Sequence, residues 1–223
     1  MISVIIPVYK EKKIGSCLAP LLALEGLSDI IVVDGSELGC TISHVQNPRI
    51  QCVTSQKGRA RQMNHGASLA AGSILLFLHA DTLLPQNAIL EINRLLSGTA
   101  KAGAFDLAID NPKKRFRFIE KAANIRSRLT RIPFGDQAIF IKKDVFNEIG
   151  GFEDVPIMED IMLMHQVKKK QVPIEISRLR VTTSPRRWEA EGVVARTLKN
   201  MWMQAAYYCG VSPKKLAKFY MLL

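Results

Sequence analysis

The 223-residue chain predicts an α/β fold: a doubly wound, mainly parallel sheet flanked by helices, with a C-terminal helical extension. Three observations carry that expectation. Short β-branched runs alternate with helix-period segments through the first hundred residues, as successive strand–helix units do. The runs are apolar throughout, the pattern of strands covered on both faces. A hydrophobic content of 48% supplies core for one substantial domain.

The elements follow in order. Residues 2–8 (ISVIIPV) read as a first strand and 29–33 (DIIVV) as a second. Between them Ile14, Cys17, Leu18, Leu21 and Leu22 recur at helical spacing. Residues 49–54 form a third strand, and 59–71 a small-residue-rich helix stopped by Gly72. A strand at 73–78 and a helix at 87–96 complete the regular part. Beyond residue 100 the pattern is mixed. It predicts a strand at 103–109, a helix through Arg128, a strand at 137–142, a helix at 158–169 and a strand at 172–176. The last thirty residues read as helical.

Lys and Arg number 31 against 20 Asp and Glu, a net charge of +11 that favours anionic partners. Nucleotide phosphates and acidic lipid headgroups fit. Nucleic acid is not expected, because aromatic content is 7% and no recognition fold or stacking platform can be read. Cys17, Cys40, Cys52 and Cys209 lack metal or redox spacing and read as free, mostly packed thiols. The longest apolar run, 74–78, is far short of the ~20 residues that span a bilayer. Met1 leads directly into a strand with no secretory leader, so a cytoplasmic location is expected.

Ligands of doubly wound sheets bind at the carboxyl ends of the strands. The stretch GSILLFLHADT ends an apolar strand on His79 and Asp81. Residues i and i+2 of an extended segment point the same way, so both can reach one cation or ligand. Alternatively Asp81 caps the next turn and His79 is a core histidine. Asp34 in VVDGS accepts from a base or ribose, or initiates a turn with Gly35. Lys57, Gly58 and Arg59 precede a helix and form a phosphate cradle or a solvated cluster. Glu159 and Asp160 open another helix, either as partners of its dipole or with Asp160 as a general base. Gly135-Asp136-Gln137 is a turn before a strand or part of a site. No GxGxxG follows the first strand and no GxxxxGK[ST] occurs, so dinucleotide and P-loop readings fail.

The segment 113–131 carries basic residues on one helical stripe and Phe118, Ala122, Ile125 and Leu129 on another. The apolar stripe is expected to pack on the core. The basic one faces solvent, a membrane surface or a phosphorylated lipid. Leu198, Met201, Trp202, Ala205, Ala206 and Cys209 keep a helical register that packs on the domain or on a second subunit, a homodimer.

SVIIPVYKE, IIVVDGS, KGRARQMNHG, LLFLHADT, GGF with the following Glu-Asp pair, and SPRRW occur in that order from residue 2 to 188. This ordered set resembles the family-2 glycosyltransferases of GT-A fold. It resembles still more a small bacterial subgroup, the radical-SAM/selenodomain-associated transferases. The resemblance implies a transferase domain at 1–188, with a nucleotide-binding half at about 1–100 and an acceptor half at about 101–188. Residues 189–223 are then a helical extension packed on the same domain. It implies an inverting, non-processive transfer of a sugar from a nucleoside-diphosphate sugar, UDP-linked, to a hydroxyl acceptor that the resemblance leaves undefined. The basic stripe at 113–131 adds the expectation of a lipid-linked acceptor and a peripheral place at the inner membrane face.

Residue by residue, the resemblance puts Pro7, Val8 and Glu11 in the nucleotide pocket and Asp34 on the nucleobase. Lys57, Gly58, Arg59, Asn64 and Ala80 join the donor site. Asp81, with His79, would hold a divalent cation, Mn²⁺ or Mg²⁺. Asp160, beside Glu159, is the catalytic base. Asp136 and Gln137 contact acceptor or donor sugar, and Arg186, Arg187 and Trp188 close over both. The chain departs from the family pattern at Lys10 for Asn, Met63 for Arg, His79 for the first Asp of DxD, and the missing Gln of QxxRW. Two other readings compete. A sugar-nucleotide nucleotidyltransferase lacks support because PVYKEKK has no glycine-rich loop. A non-catalytic basic module for a membrane surface or protein partner draws on His79.

Overall fold

The computed structural model describes residues 1–222, with side chains through Tyr220. In chain order the elements are β1 (Ile2–Val8), α1 (Ile14–Leu22), β2 (Leu27–Asp34), β3 (Ile50–Thr54), α2 (Arg59–Leu69) and β4 (Ile74–Phe77). They continue with β5 (Thr82–Leu83), α3 (Ala88–Ser97), β6 (Ala102–Ile109), α4 (Lys114–Thr130), β7 (Phe140–Lys142) and α5 (Lys143–Glu148). The chain finishes with α6 (Glu159–Lys169), β8 (Ile174–Thr183), α7 (Arg186–Glu191), α8 (Val193–Tyr208) and α9 (Pro213–Leu222).

The eight strands form one sheet in the order β3-β2-β1-β4-β7-β6-β8-β5. β1, β2, β3 and β4 pair in parallel, as do β6 and β8. β7 lies antiparallel between β4 and β6, and β5 antiparallel on β8. The sheet is therefore mixed and mainly parallel, with a core on each face. Val4, Ile6, Leu76 and Phe105 point to one side, and Ile5, Ile31, Leu75 and Ile139 to the other. This alternation explains the unbroken apolar runs: each strand must satisfy two cores at once.

Several expectations are corrected. β4 stops at Phe77, and His79–Asp81 turn instead of extending, with Thr82 N–H donating to the His79 carbonyl at 3.0 Å. β8 runs to Thr183, well past residue 176, because Arg178 and Arg180 take the exposed positions of an alternating strand. Cys40 and Cys209 are exposed, although all four cysteines are free thiols.

The packing of α4 is the reverse of the expected one. Phe116, Glu120, Asn124 and Ser127 face the sheet, while Phe118, Ile125 and Leu129 are exposed. The cause is the open edge of β6. The Asn124 amide donates to the Leu107 carbonyl at 3.0 Å and accepts from Leu107 N–H at 2.7 Å, and Glu120 accepts from Ile109 N–H at 2.6 Å. Buried backbone groups must be paired, and here polar side chains do it. Among the described residues no helix is long and apolar enough to cross a membrane.

Candidate functional site

Two cavities open side by side at the carboxyl ends of β1 and β4. One, of about 430 Å³, is lined by Pro7, Val8, Glu11, Lys57, Gly58 and Ala80, with Tyr9 and Arg186 at its rim. The other, of about 230 Å³, is lined by Phe134, Asp136, Met158, Asp160 and Trp188. Arg59, His79, Asp81 and Arg187 belong to both and form the shared wall. Strand ends, helix starts and the turn after β4 thus converge as strand-end logic predicts.

The larger cavity is cationic. Gly58 precedes α2 at φ 143°, a conformation that side chains rarely adopt, and lets Lys57 fold back so that its ammonium stands 4.3 Å from the Tyr9 ring centroid. No side chain caps α2 among the described residues, and Gly58 and Arg59 at its start line the cavity, so the helix dipole favours an anion there. Arg59 pairs with the buried Glu159 at 2.9 Å. Arg186 bridges Glu11 at 2.6 Å and Asp81 at 3.4 Å. The hydrogen bond from Arg186 holds the Glu11 carboxyl below its ordinary range, against the opposing effect of burial. Arg187 lines both cavities and makes no ion pair among the described residues.

The cavity floor is fixed by Gln62. Its buried amide donates to the carbonyls of Val8 at 2.6 Å and Val33 at 2.7 Å, tying the ends of β1 and β2.

The smaller cavity is built around a close approach at Gly135. A Cβ at that position would lie 2.8 Å from His79 Nε2 and 3.4 Å from Asp160 Oδ2. Gly135 N–H donates to Asp160 Oδ2 at 2.6 Å, and Ile161 N–H to Oδ1 at 2.8 Å. The turn that aims Asp160 is strained: Met158 occupies the left-handed region at φ 68°. Burial, helped by Arg59 and Arg187, pushes the His79 imidazole well below its ordinary range, so it is neutral. Burial also raises the Asp136 carboxyl to about 6; Asp160 and Asp81 add to that, and Arg126 and Arg187 oppose it. The Trp188 indole N–H is buried with no protein partner among the described residues.

Several expected site residues lie elsewhere. Asp34 is fully buried and lines neither cavity. Its carboxylate accepts from Ser36 N–H at 2.9 Å, Ser36 Oγ at 2.8 Å, Thr41 N–H at 2.7 Å and Ile42 N–H at 3.3 Å. Burial raises its carboxyl, and these donors together more than reverse that. Asp34 shapes the loop beside the cavity, with its carboxylate engaged by that loop. Asn64 exchanges hydrogen bonds with the Phe152 backbone at 2.8 and 2.9 Å, clamping α2 to the turn before α6. Gln137 is buried and donates to the Phe105 carbonyl at 2.9 Å. Glu159 turns away from the cavities to Arg59.

Other wall residues carried no sequence signal. Arg196, Asn200, Met203 and Gln204 of α8 and Tyr220 of α9 enclose the smaller cavity. They come from distant turns of two helices, and no local spacing announces them. Arg126 stacks 3.2 Å from the Phe134 ring centroid, supporting the cavity's edge.

Asp81 and His79 are a thin ligand set for a cation. No three His, Cys, Asp or Glu side chains gather as a cage among the described residues. Mg²⁺ at phosphate sites is ordinarily held by one or two carboxylates with substrate phosphates supplying the rest. One hard carboxylate and a neutral imidazole on the shared wall fit that mode.

Residues 3–152 match the family model for glycosyl transferase family 2. No curated protein matches the chain. Among solved structures, residues 1–349 of S. aureus TarS align with TM-score 0.63 and 18% identity over 82% of this chain and 60% of that one. The same portion of TarS in complex with UDP-GlcNAc aligns with TM-score 0.61 and 17% identity over 82% and 58% of the two chains. At such identities the likeness shows the fold, and the chain spans about three-fifths of those neighbours. The fold is the GT-A type that the motif order implied.

Proposed function

From the premise that the chain belongs to glycosyl transferase family 2, we propose that it transfers a sugar from a nucleoside-diphosphate sugar to an acceptor hydroxyl, inverting the anomeric centre. The observation that carries this reading is the wall common to two cavities. Arg59, His79, Asp81 and Arg187 stand where a diphosphate would bridge a nucleotide on one side and a sugar on the other. A UDP-linked donor is the reading we favour, since the aligned TarS structure is a UDP-GlcNAc complex.

In this scheme Pro7, Val8 and Glu11 border the nucleotide. Lys57, Arg59, Arg187 and the uncapped start of α2 meet the diphosphate, whose negative charge grows as the sugar–phosphate bond breaks. Asp81 and His79 would hold a Mn²⁺ or Mg²⁺ ion, whose chemistry when bound would be further positive charge beside the departing group. Arg186 must release Asp81 as the donor enters. Asp160 takes the acceptor proton, on the side of the sugar opposite the diphosphate. Two backbone N–H groups hold its carboxylate in place. Asp136 and the unpartnered Trp188 N–H contact sugar or acceptor hydroxyls.

Replacing Asp160 with Asn tests the assignment. Transfer should fall by about 10²–10⁴-fold, with the nucleotide-sugar thermal shift kept. Wild-type turnover in that variant removes Asp160 from the reaction.

A further inference from the structure

We infer that the outer face of α4 is a seat for an anionic bilayer surface. The helix has 17 residues and turns its polar row, Glu120, Asn124 and Ser127 with Phe116, onto the sheet. At 100° per residue, Phe118, Ala122, Ile125 and Leu129 fall within about 60° of one another and about 180° from that row. The apolar ridge therefore points straight outward. Phe118 is 77% exposed and Leu129 79% exposed. An apolar ridge of this kind, exposed and with no packing partner among the described residues, marks an interaction surface.

Charge decides the occupant. Lys114, Arg115 and Lys121 flank the ridge and Lys113 precedes the helix; all four are exposed and form no ion pair among the described residues. The one acid of the helix, Glu120, is buried against β6. A second copy of the chain docked here by a twofold axis would set these cations against their own images, which association disfavours. A sheet of lipid phosphates accepts both features. The ridge sinks among acyl chains and the flanking cations meet headgroups, the arrangement of an in-plane amphipathic helix. This inference does not depend on the sugar-transfer reading.

Co-sedimentation with vesicles tests it. The full chain should pellet with phosphatidylcholine vesicles that contain a third of phosphatidylglycerol, and stay in solution with phosphatidylcholine alone. Replacing Phe118 and Leu129 together with Asp should lower partitioning by about tenfold or more, since burial of both side chains is lost. Each of Lys114→Ala and Lys121→Ala should lower it roughly fivefold, less at high salt. Because all four positions are exposed, circular dichroism and the nucleotide-sugar thermal shift should match wild type. Wild type left in solution with anionic vesicles at low salt overturns the inference, and so does undiminished binding by the Phe118/Leu129 variant. A wild-type dimer in light scattering that this variant dissolves also overturns it, in favour of self-contact.

Discussion

Asp136→Asn should make the folded protein more stable near neutral pH. The carboxyl sits at the smaller cavity beside Asp160, and burial raises it to about 6 from 3.8. The unfolded chain ionises near 3.8 and the folded one near 6, so the fold loses stability as pH rises between those values. The difference, about 2.2 pH units at ~1.4 kcal/mol each, is at most about 3 kcal/mol above pH 7. Cavity water reduces this, and a gain of about 1–3 kcal/mol is expected on substitution. For a chain of this length that is a rise in Tm of roughly 3–9 °C. Roughly half of the gain remains at pH 5, where the unfolded carboxyl is ionised and the folded one is not. Thermal melts of both proteins at pH 5 and pH 8 read the effect. A variant no more stable than wild type at pH 8, or a gap that widens toward pH 5, refutes the argument.

Two further outcomes follow from packing. Gly135→Ala should cut the transfer rate about tenfold or more while leaving circular dichroism unchanged, because its Cβ would lie 2.8 Å from His79 Nε2. Unchanged transfer kinetics would show that this contact is not tight. Asp34→Asn replaces an acceptor facing four donors and should cost at least ~2 kcal/mol in urea unfolding. Its nucleotide-sugar thermal shift should match wild type. Normal stability with lost nucleotide binding would return Asp34 to the base.

The strands of the first half are legible because two cores demand continuous apolar side chains, as in Ile2–Val8 and Ile74–Phe77. The second half of β8 is not, since Arg178 and Arg180 interrupt the run on its open face. The amphipathic pattern of α4 was read the wrong way round. Hydrophobic periodicity cannot tell that the unpaired edge of β6 claims Asn124 and Glu120. Strand-end position points to His79 and Asp81, and a helix start to Asp160, and all three line the cavities. The same logic does not foresee the bonding of Asp34, because a carboxylate after a strand can be engaged by the following loop, here the Ser36, Thr41 and Ile42 N–H groups and the Ser36 hydroxyl. Nor does it foresee that Asn64 and Gln137 are each tied to main chain at a distance in sequence. The wall from α8 and α9 depends on tertiary docking alone.

Parallel strands diverge at their ends, and the gap there would ordinarily breathe. Here the ladder runs on to Val8 and Asp34, Gly35 N–H donates to the Val8 carbonyl, and the Gln62 amide cross-links Val8 and Val33 beside the cavity. The gauge of the opening is thus set by the frame before anything enters. Changes in which guest is accepted must come from the rim around Tyr9 and Lys57, because the frame beneath it is tied by ladder and side chain together.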